Sequence, residues 1–338
     1  MPSARATSGT DVERLKTADT GRIVTIAILL AAAIFLLIGC LSSTQFATYT
    51  VQGVANGMAY GVLGLALVLI YQATHVINFA QGELAMLTTY IAWQLIQWGL
   101  TYWEAFFATL GIGFVLGIAI QLTVIRPVQH RSVIATVIVT VGLFILIDGV
   151  VGWIWGGQIQ SLPSPFGYGS SDVGGVSIQH LYVGMVVVVL ASLIAVWGLF
   201  RFTKLGLAMR AAALRPAAAA LAGVRVDAML AIGWGLAATL GAVAGLMALP
   251  SAQLGFLLPT FMQPILVYAF AAAALGGLES PAGAIVGGVA IGVLQALMIG
   301  YTPQISAELQ LPVAFALILA ILLVKPNGLF GRRQVARV

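Results

Sequence analysis

Charged side chains are scarce in this chain. Of its 338 residues only 7% are charged, whereas 61% are hydrophobic, and the mean hydropathy is +1.06. A soluble globular domain carries about 25% charged residues, so this composition excludes that class. A membrane span needs roughly 20 apolar residues, and the chain therefore has room for about ten helices and little room for a soluble domain. The sequence predicts an integral membrane protein.

Residues that form disulfides, bind metals or hold nucleotides are also few. The single cysteine, Cys40, excludes a disulfide framework and a cysteine metal site. His75, His130 and His180 lie at segment ends and lack the spacing of metal ligands. No G-x-x-x-x-G-K-[ST] loop is present, since each of the three lysines follows a residue other than glycine. We predict a chain that is not an enzyme and binds no cofactor or metal itself.

Long apolar segments are abundant, and they lack the alternation of membrane β-strands. We therefore predict an all-α polytopic membrane protein with nine to ten spans. The eighth segment is short and is joined by ESPAG to a Gly-rich ninth, so this pair forms either two full spans or one broken element. The ten segments are residues 23–41, 48–71, 79–98, 104–125, 133–155, 180–200, 227–249, 261–276, 282–300 and 309–324.

The positions of the basic residues predict the orientation. All 15 Lys and Arg residues fall before the first segment, between the fourth and fifth, between the sixth and seventh, or after the last. If the N-terminus is cytoplasmic, all four groups are cytoplasmic, as the positive-inside rule requires. We expect cytoplasmic tails at residues 1–22 and 326–338, a membrane domain at 23–325 with a cytoplasmic loop at about 201–226, and a large external loop at 156–179.

The first segment has an alternative interpretation. It ends in Leu-Ile-Gly-Cys at residues 37–40, which resembles a lipoprotein processing box. Cleavage before Cys40 would leave nine spans. The long apolar run and the preceding tail, which contains acids, favour a retained helix.

Ionisable residues within the spans are costly, and they are therefore candidates for function. The main ones are Glu83 in the third segment and Asp148 near the end of the fifth. Glu83 follows Asn78 and Gln81 at the point where an apolar run begins again. A carboxylate there also suits the positive end of a helix dipole, so a functional and a capping role both remain open. The scarcity of such acids argues against an ion-coupled carrier.

Three stretches resemble the permeases of branched-chain amino-acid ABC transporters, of the LivH type. Residues 77–90, INFAQGELAMLTTY, are similar to that family's NFAHGE-type signature, with Gln81 in place of the usual His. Residues 205–247 resemble its loop of the form G-x-x-x-R-A and A-x-x-x-G, followed by a Gly- and Ala-rich helix. Residues 268–297 resemble its LGG-x-x-S-x-x-GA-x-x-GG segment. The matches extend from about residue 50 to residue 325, and the segment at 23–41 is poorly matched.

The resemblance implies the ABC importer permease fold and a set of partners. Two cytoplasmic ATPases would bind ATP and Mg²⁺, and an extracytoplasmic binding protein would deliver the solute. A second permease subunit, either a sister type or another copy, would complete the path in the bacterial plasma (inner) membrane. No nucleic-acid partner is implied. The solute would be a branched-chain or related amino acid. The alternatives are urea, an amide, an organic acid or a sugar, or an ATP-independent secondary carrier.

The resemblance also implies a coupling site in the cytoplasmic loop. We predict that residues 206–223 form a coupling helix that docks onto an ATPase. Its alanine run favours helix but is interrupted by Pro216, which can start a helical turn, and Gly223 suits a helix end. Lys and Arg in this loop also serve the positive-inside rule, so a purely topological role stays open. The predicted coupling residues are Gly206, Arg210, Arg215, Pro216 and Gly223.

The solute path is predicted from polar residues within and before the first signature. Amides and a carboxylate suit a weak, transient contact with a zwitterion. The alternative role is hydrogen bonding between helices. The predicted path residues are Gln52, Asn56, Asn78, Gln81 and Glu83. Glycines spaced by four, such as Gly57 and Gly61 or Gly288 and Gly292, predict close helix packing.

Overall fold

The structure, a computed structural model, describes residues 32–129, 131–167, 169–250 and 256–301, together with Leu30, residues 328–330 and a few single positions of the last apolar segment. The predicted tail at 1–22 lies outside the described residues, and so does the tail at 326–338 apart from 328–330. The sequence forms helices almost throughout these ranges, and a short hairpin interrupts them.

The helices follow one another with short connections. A π-helical turn, Gln121–Ile125, extends α4. The helices are α1 (Ala32–Ser42), α2 (Thr44–Thr74), α3 (Gln81–Gln97), α4 (Tyr102–Ile120), α5 (Val133–Trp155), α6 (His180–Phe202), α7 (Lys204–Leu214), α8 (Pro216–Leu221), α9 (Val226–Ala248), α10 (Met262–Gly276) and α11 (Pro281–Tyr301).

The first nine predicted segments coincide with α1 to α6 and α9 to α11, the first of them only in part. Most of the tenth segment, 309–324, lies outside the described residues. Six of these helices are long and apolar enough to cross a membrane: α2, α4 with its π turn, α5, α6, α9 and α11. The helical membrane fold is thereby confirmed. At 17 and 15 residues, α3 and α10 are shorter, as the sequence predicted for α10.

The loop before α6 carries a hairpin that the sequence analysis did not predict. Strands β1 (Ser170–Val173) and β2 (Val176–Gln179) pair in antiparallel fashion. Gly174 and Gly175 join them with φ values of 63° and 83°. Two successive positive φ angles are typical of a type I′ turn, which glycine adopts without steric cost.

The glycine seam, formed by Gly53, Gly57 and Gly61 of α2 with Gly288 and Gly292 of α11, is the most extensive helix contact. A Cβ atom at Gly57 would lie 2.6 Å from the Gly288 carbonyl oxygen, and one at Gly53 would lie 2.5 Å from the Val293 Cα. The backbones of α2 and α11 therefore touch directly, which confirms the packing role predicted for the pairs Gly57–Gly61 and Gly288–Gly292.

Helix α9 lies at the centre of the bundle and contacts α2, α3 and α4. Gly241 and Gly245 of α9 allow α3 to pack closely against it. Gly117 of α4 allows that helix to contact the α9 backbone at Trp234. In contrast, α5 and α6 keep much of their aliphatic surface exposed, at residues such as Ile145 and Ile194. Such faces are suited to lipid.

Candidate functional site

The INFAQGE stretch forms the turn between α2 and α3. His75, directly after α2, adopts the left-handed conformation with φ of 54°. Asn78 Oδ1 accepts a hydrogen bond from the Ala80 N–H at 3.1 Å, and Asn78 Nδ2 donates one to Gln81 Oε1 at 3.3 Å. A short asparagine side chain can bond to its own backbone in this way, and it therefore closes the turn and orients Gln81.

Gln81 ties the start of α3 to the interior of α9. Its Nε2 donates to the Ala237 carbonyl oxygen at 2.8 Å. Ala237 lies about three helical turns beyond Val226, where α9 begins, so α3 starts deep inside the bundle. Non-helical backbone at such depth is tolerated where protein buries it, and Asn78 and Ala80 are both buried.

Glu83 lies in the first turn of α3 and is only 1% exposed. Neither of its carboxylate oxygens makes a hydrogen bond of standard geometry within the described part of the chain. Ala80 provides no side-chain cap, so Glu83 is the acidic group at the positive end of this helix dipole. The position suits both roles that the sequence left open for Glu83.

The polar seam is the contact of α3 with α5, formed by Glu83, Tyr90 and Gln94 with Asp148 and Trp155. Trp155 Nε1 donates to Gln94 Oε1 at 3.0 Å, and the rings of Trp155 and Tyr90 lie 5.3 Å apart. Glu83 and Asp148 each lie about two turns before these contacts, on the same faces of the two helices. Asp148 is accordingly the charged neighbour of the Glu83 carboxylate.

Sequence reasoning identified Asp148 as a costly residue but did not place it beside Glu83, and it assigned no role to Tyr90 or Gln263. The Gln263 side chain, at the start of α10, also lies near the Glu83 carboxylate. The equal spacing from Glu83 to Tyr90 and from Asp148 to Trp155 was the available signal. It becomes informative only once α3 and α5 are known to be neighbours.

The five predicted path residues fall into two groups. Asn78, Gln81 and Glu83 share the buried entry into α3, whereas Gln52 and Asn56 lie on α2. Helix α2 packs mainly against α11 and α9, and its direct contact with α3 is small. The structure therefore brings the signature residues together and leaves the α2 pair on a separate element.

The loop between α6 and α9 forms two helices rather than the single helix predicted over 206–223. Arg215, with φ of −145° and ψ of 77°, separates α7 from α8, which begins at Pro216. The break has a steric cause, because the proline ring excludes the helical conformation from the residue before it. Pro216 does begin a helix, and Gly223, with φ of 82°, lies just beyond the end of α8.

The docking surface consists of Leu207, Arg210 and Leu214 on one face of α7, with Arg215 and Leu221. The three leucines are 61%, 82% and 92% exposed, and both arginines are exposed without an ion pair among the described residues. Gly206 lets α7 pack against the end of α6, since a Cβ there would lie 2.5 Å from the Phe200 Cα. Exposed leucines outside the apolar spans are typical of a protein interaction site. The sequence analysis had identified the arginines but not the leucines.

A surface ion pair links two connections on this side of the bundle. Arg126, after the π turn of α4, contacts Asp227 in the first turn of α9 at 2.9 Å. Both side chains are about half exposed. The α4–α5 connection and the α7–α8 loop therefore lie at the same end of α9.

The chain is similar to known membrane transport proteins. Residues 49–322 match the family described as "Branched-chain amino acid transport system / permease component". The LivH permease of the Salmonella typhimurium high-affinity branched-chain amino acid transport system is 30% identical, over 88% of this chain and 100% of that protein. BraD of Pseudomonas aeruginosa is 29% identical over 85% of this chain and 96% of its own, and a probable LivH of Methanocaldococcus jannaschii is 29% identical over 80% and 88%.

A solved structure also aligns with the chain. PsaBC from Streptococcus pneumoniae in complex with Fab is 15% identical, with a TM-score of 0.43, over 86% of this chain and 94% of that one. This likeness is too distant to add to the assignment.

Proposed function

Because the chain belongs to the branched-chain amino acid transport permease family, we propose that it is the membrane subunit of an ATP-binding-cassette importer for branched-chain or related amino acids. It moves solute and leaves ATP hydrolysis to two partner ATPases, which bind ATP and Mg²⁺. An extracytoplasmic binding protein delivers the solute, and a second permease subunit, a sister type or another copy, completes the path.

The docking surface is the observation that carries this proposal. Three exposed leucines beside two arginines that form no ion pair with any described residue offer apolar anchors and charge to a protein outside the bilayer. Gly206 holds α7 against α6, and α7 also contacts α9 and α2. A movement of the docking surface would therefore be transmitted to α9, the central helix to which Gln81 is hydrogen-bonded. An ATPase that drives transport needs such a connection.

The orientation follows from charge. Arg126, Asp227 and the five basic residues from Arg201 to Arg225 lie at the end of the bundle that carries the docking surface. Under the positive-inside rule this end is cytoplasmic. Both termini are then cytoplasmic, in a bacterial plasma membrane, and the β1–β2 hairpin faces the binding protein.

The solute path runs past the signature residues Asn78, Gln81 and Glu83, with Gln52 and Asn56 on α2. In the structure the Gln81 side chain donates a hydrogen bond to α9. A displacement of α9 by the ATPases would free its amide for a passing zwitterion. Weak amide contacts suit a path from which the solute must be released readily.

The decisive experiment reconstitutes the chain with its co-purifying partners in lipid nanodiscs. ATPase activity is measured with binding proteins loaded with branched-chain amino acids, other amino acids, urea or small organic acids. We expect stimulation by a branched-chain or related amino acid. If no ATPase co-purifies and the chain alone transports solute down a gradient, the secondary-carrier alternative is correct.

The docking surface has its own test, a double variant Leu214→Ala/Leu221→Ala. Removing two interface anchors should weaken ATPase binding by about 10- to 100-fold. The control, Ile145→Ala/Ile194→Ala, shortens two exposed aliphatic side chains of α5 and α6, 65% and 64% exposed, and should leave binding unchanged. Equal ATPase affinity for the two double variants would refute the docking role.

A further inference from the structure

The polar seam concentrates polar atoms that have no partner. Seven buried side-chain N and O atoms lack a hydrogen bond within the described part of the chain, and four of them belong to this seam. They are Glu83 Oε1 and Oε2, Tyr90 Oη and Asp148 Oδ1. A buried polar atom normally finds a partner because leaving it unpaired is costly. Four such atoms between two helices are therefore available to bind a ligand.

The geometry directs these atoms toward one place. The Tyr90–Trp155 ring contact and the Gln94–Trp155 hydrogen bond hold α3 alongside α5. Glu83 and Asp148 then lie opposite each other, about two turns farther in, and the Gln263 side chain of α10 approaches from a third helix. Glu83 and Tyr90 are almost completely inaccessible, so water is excluded from this side of the seam.

The charge at this place is uncompensated. The Lys and Arg residues that the structure describes are Arg126, Arg131 and the five from Arg201 to Arg225. Arg131 precedes α5, and Asp148 lies about four turns into that helix, so these cations are remote from the seam. A buried carboxylate and a partly buried one that face each other repel unless a cation or a proton lies between them.

We propose that Glu83 and Asp148 bind a small monovalent cation, either an alkali-metal ion or the primary ammonium group of a solute. The two carboxylates supply the charge, and the Tyr90 hydroxyl supplies a neutral oxygen atom nearby. Both cation types accept this ligand set, because each prefers several oxygen atoms and a net negative site. Only the ammonium case rests on the proposed transport function.

The test uses the purified full-length chain in nanodiscs without ATPases, so its outcome is independent of the importer assay. Thermal unfolding is followed by tryptophan fluorescence at constant ionic strength and pH. The salts are sodium, potassium or methylammonium chloride, and the reference is N-methyl-D-glucamine chloride, whose cation is too large for the seam. Binding to the folded state alone should raise the unfolding midpoint by about 2 °C or more relative to the reference.

Two variants, Glu83→Gln and Asp148→Asn, separate binding from a merely structural role. Each should abolish the cation-dependent rise, and each should unfold in the reference salt no earlier than the unmodified chain, because one of two repelling charges is gone. Glu104→Gln makes the same chemical change at an exposed carboxylate of the α4 capping box, and it should keep the rise.

The salt series identifies the occupant. A rise with sodium or potassium assigns an alkali-metal site, and a rise with methylammonium alone assigns an ammonium site. The proposal is overturned if no salt differs from the reference, or if the rise persists in both variants. A midpoint that responds only to acidification, and loses that response in both variants, shows that a proton holds the two carboxylates together and also overturns it.

Discussion

In the glycine seam, α2 and α11 are in direct backbone contact. In the polar seam, α3 and α5 meet through long side chains, and carboxylate oxygens make no hydrogen bond of standard geometry with the described residues. The first contact has no room for a single additional carbon atom. The second contains acidic side chains that pair with no described Lys or Arg residue. Both seams lie in the same helical bundle, so a difference in the surrounding lipid does not explain why one is closely packed and the other contains unpartnered polar atoms.

The glycine seam packs two helices together, whereas the polar seam is suited to binding a ligand. Helices in a bilayer gain little from the hydrophobic effect, so close contact between small residues is what holds α2 to α11. Acidic side chains without a partner do not hold helices together, and their presence in the described part of the polar seam indicates a functional role. Substitutions in the glycine seam should therefore lower stability. In the polar seam, substitutions of the unpaired groups should alter ligand response instead.

The largest expected effect is in the glycine seam, with Gly57→Ala. The added Cβ would lie 2.6 Å from the Gly288 carbonyl oxygen and 2.7 Å from the Val289 Cα, both of which are backbone atoms that cannot rotate away. We expect the free energy of unfolding to fall by about 2–3 kcal/mol or more. It is measured by SDS titration in mixed micelles.

The matched control for this prediction is Gly142→Ala on α5. A Cβ at Gly142 meets nothing within 4 Å, so the better helix propensity of alanine should leave stability unchanged or slightly raised. If both variants unfold at the same SDS concentration, direct backbone contact does not stabilise the α2–α11 pair.

The next largest effect is expected at Gln81, a polar residue of α3 that has partners. Gln81→Leu removes the bond to the Ala237 carbonyl and leaves Asn78 without its acceptor. We expect a loss of about 1–2 kcal/mol in the free energy of unfolding by SDS titration. Gln81→His, which restores the residue usual in the NFAHGE-type signature, should lose less. A Gln81→Leu variant as stable as the unmodified chain would mean that Gln81 does not hold α3 to α9.

The sequence was sufficient to predict the helices and several of their ends. Long apolar runs located the first nine segments, and Pro216 and Gly223 marked the limits of α8 because their backbone preferences are local. The glycines spaced by four indicated close packing. Each of these features depends on residues within a few positions of one another.

The contacts between helices could not be predicted in the same way. Apolar residues cover most faces of α5, so the helix has no polar stripe that indicates its neighbour. Glu83 lies opposite Asp148 only because α3 packs beside α5, and the sequence of neither helix shows which helix is its neighbour. The sequence indicated an interruption at Pro216, but it did not show that the chain leaves the helical conformation at Arg215 and forms two helices. Apolar residues are so frequent in this chain that the sequence does not distinguish the exposed leucines of the docking surface from the leucines of the spans.

A smaller effect is expected from the paired groups of the polar seam. Trp155→Phe keeps a ring beside Tyr90 and removes the hydrogen bond to Gln94. Hydrogen bonds between membrane helices average about 0.6 kcal/mol, and we expect a loss of that size by SDS titration. Trp153→Phe, at an 85% exposed position on the same helix, is the control and should change stability less. A loss above about 2 kcal/mol would show that the polar seam is a packing contact like the glycine seam.

The smallest effect is expected outside both seams, at the Arg126–Asp227 ion pair. With both side chains about half exposed, solvent screens the attraction across the 2.9 Å contact. A double-mutant cycle of Arg126→Gln and Asp227→Asn should give a coupling energy of about 0.5 kcal/mol or less, decreasing as salt is raised.

Because this pair links the α4–α5 connection to α9 at the end that carries the docking surface, its coupling can differ between the free chain and the complex with ATPases. A coupling energy that rises above about 1 kcal/mol only in that complex would mean that the ATPases clamp this end of α9. The same clamp would transmit their motion to Gln81 at the start of α3.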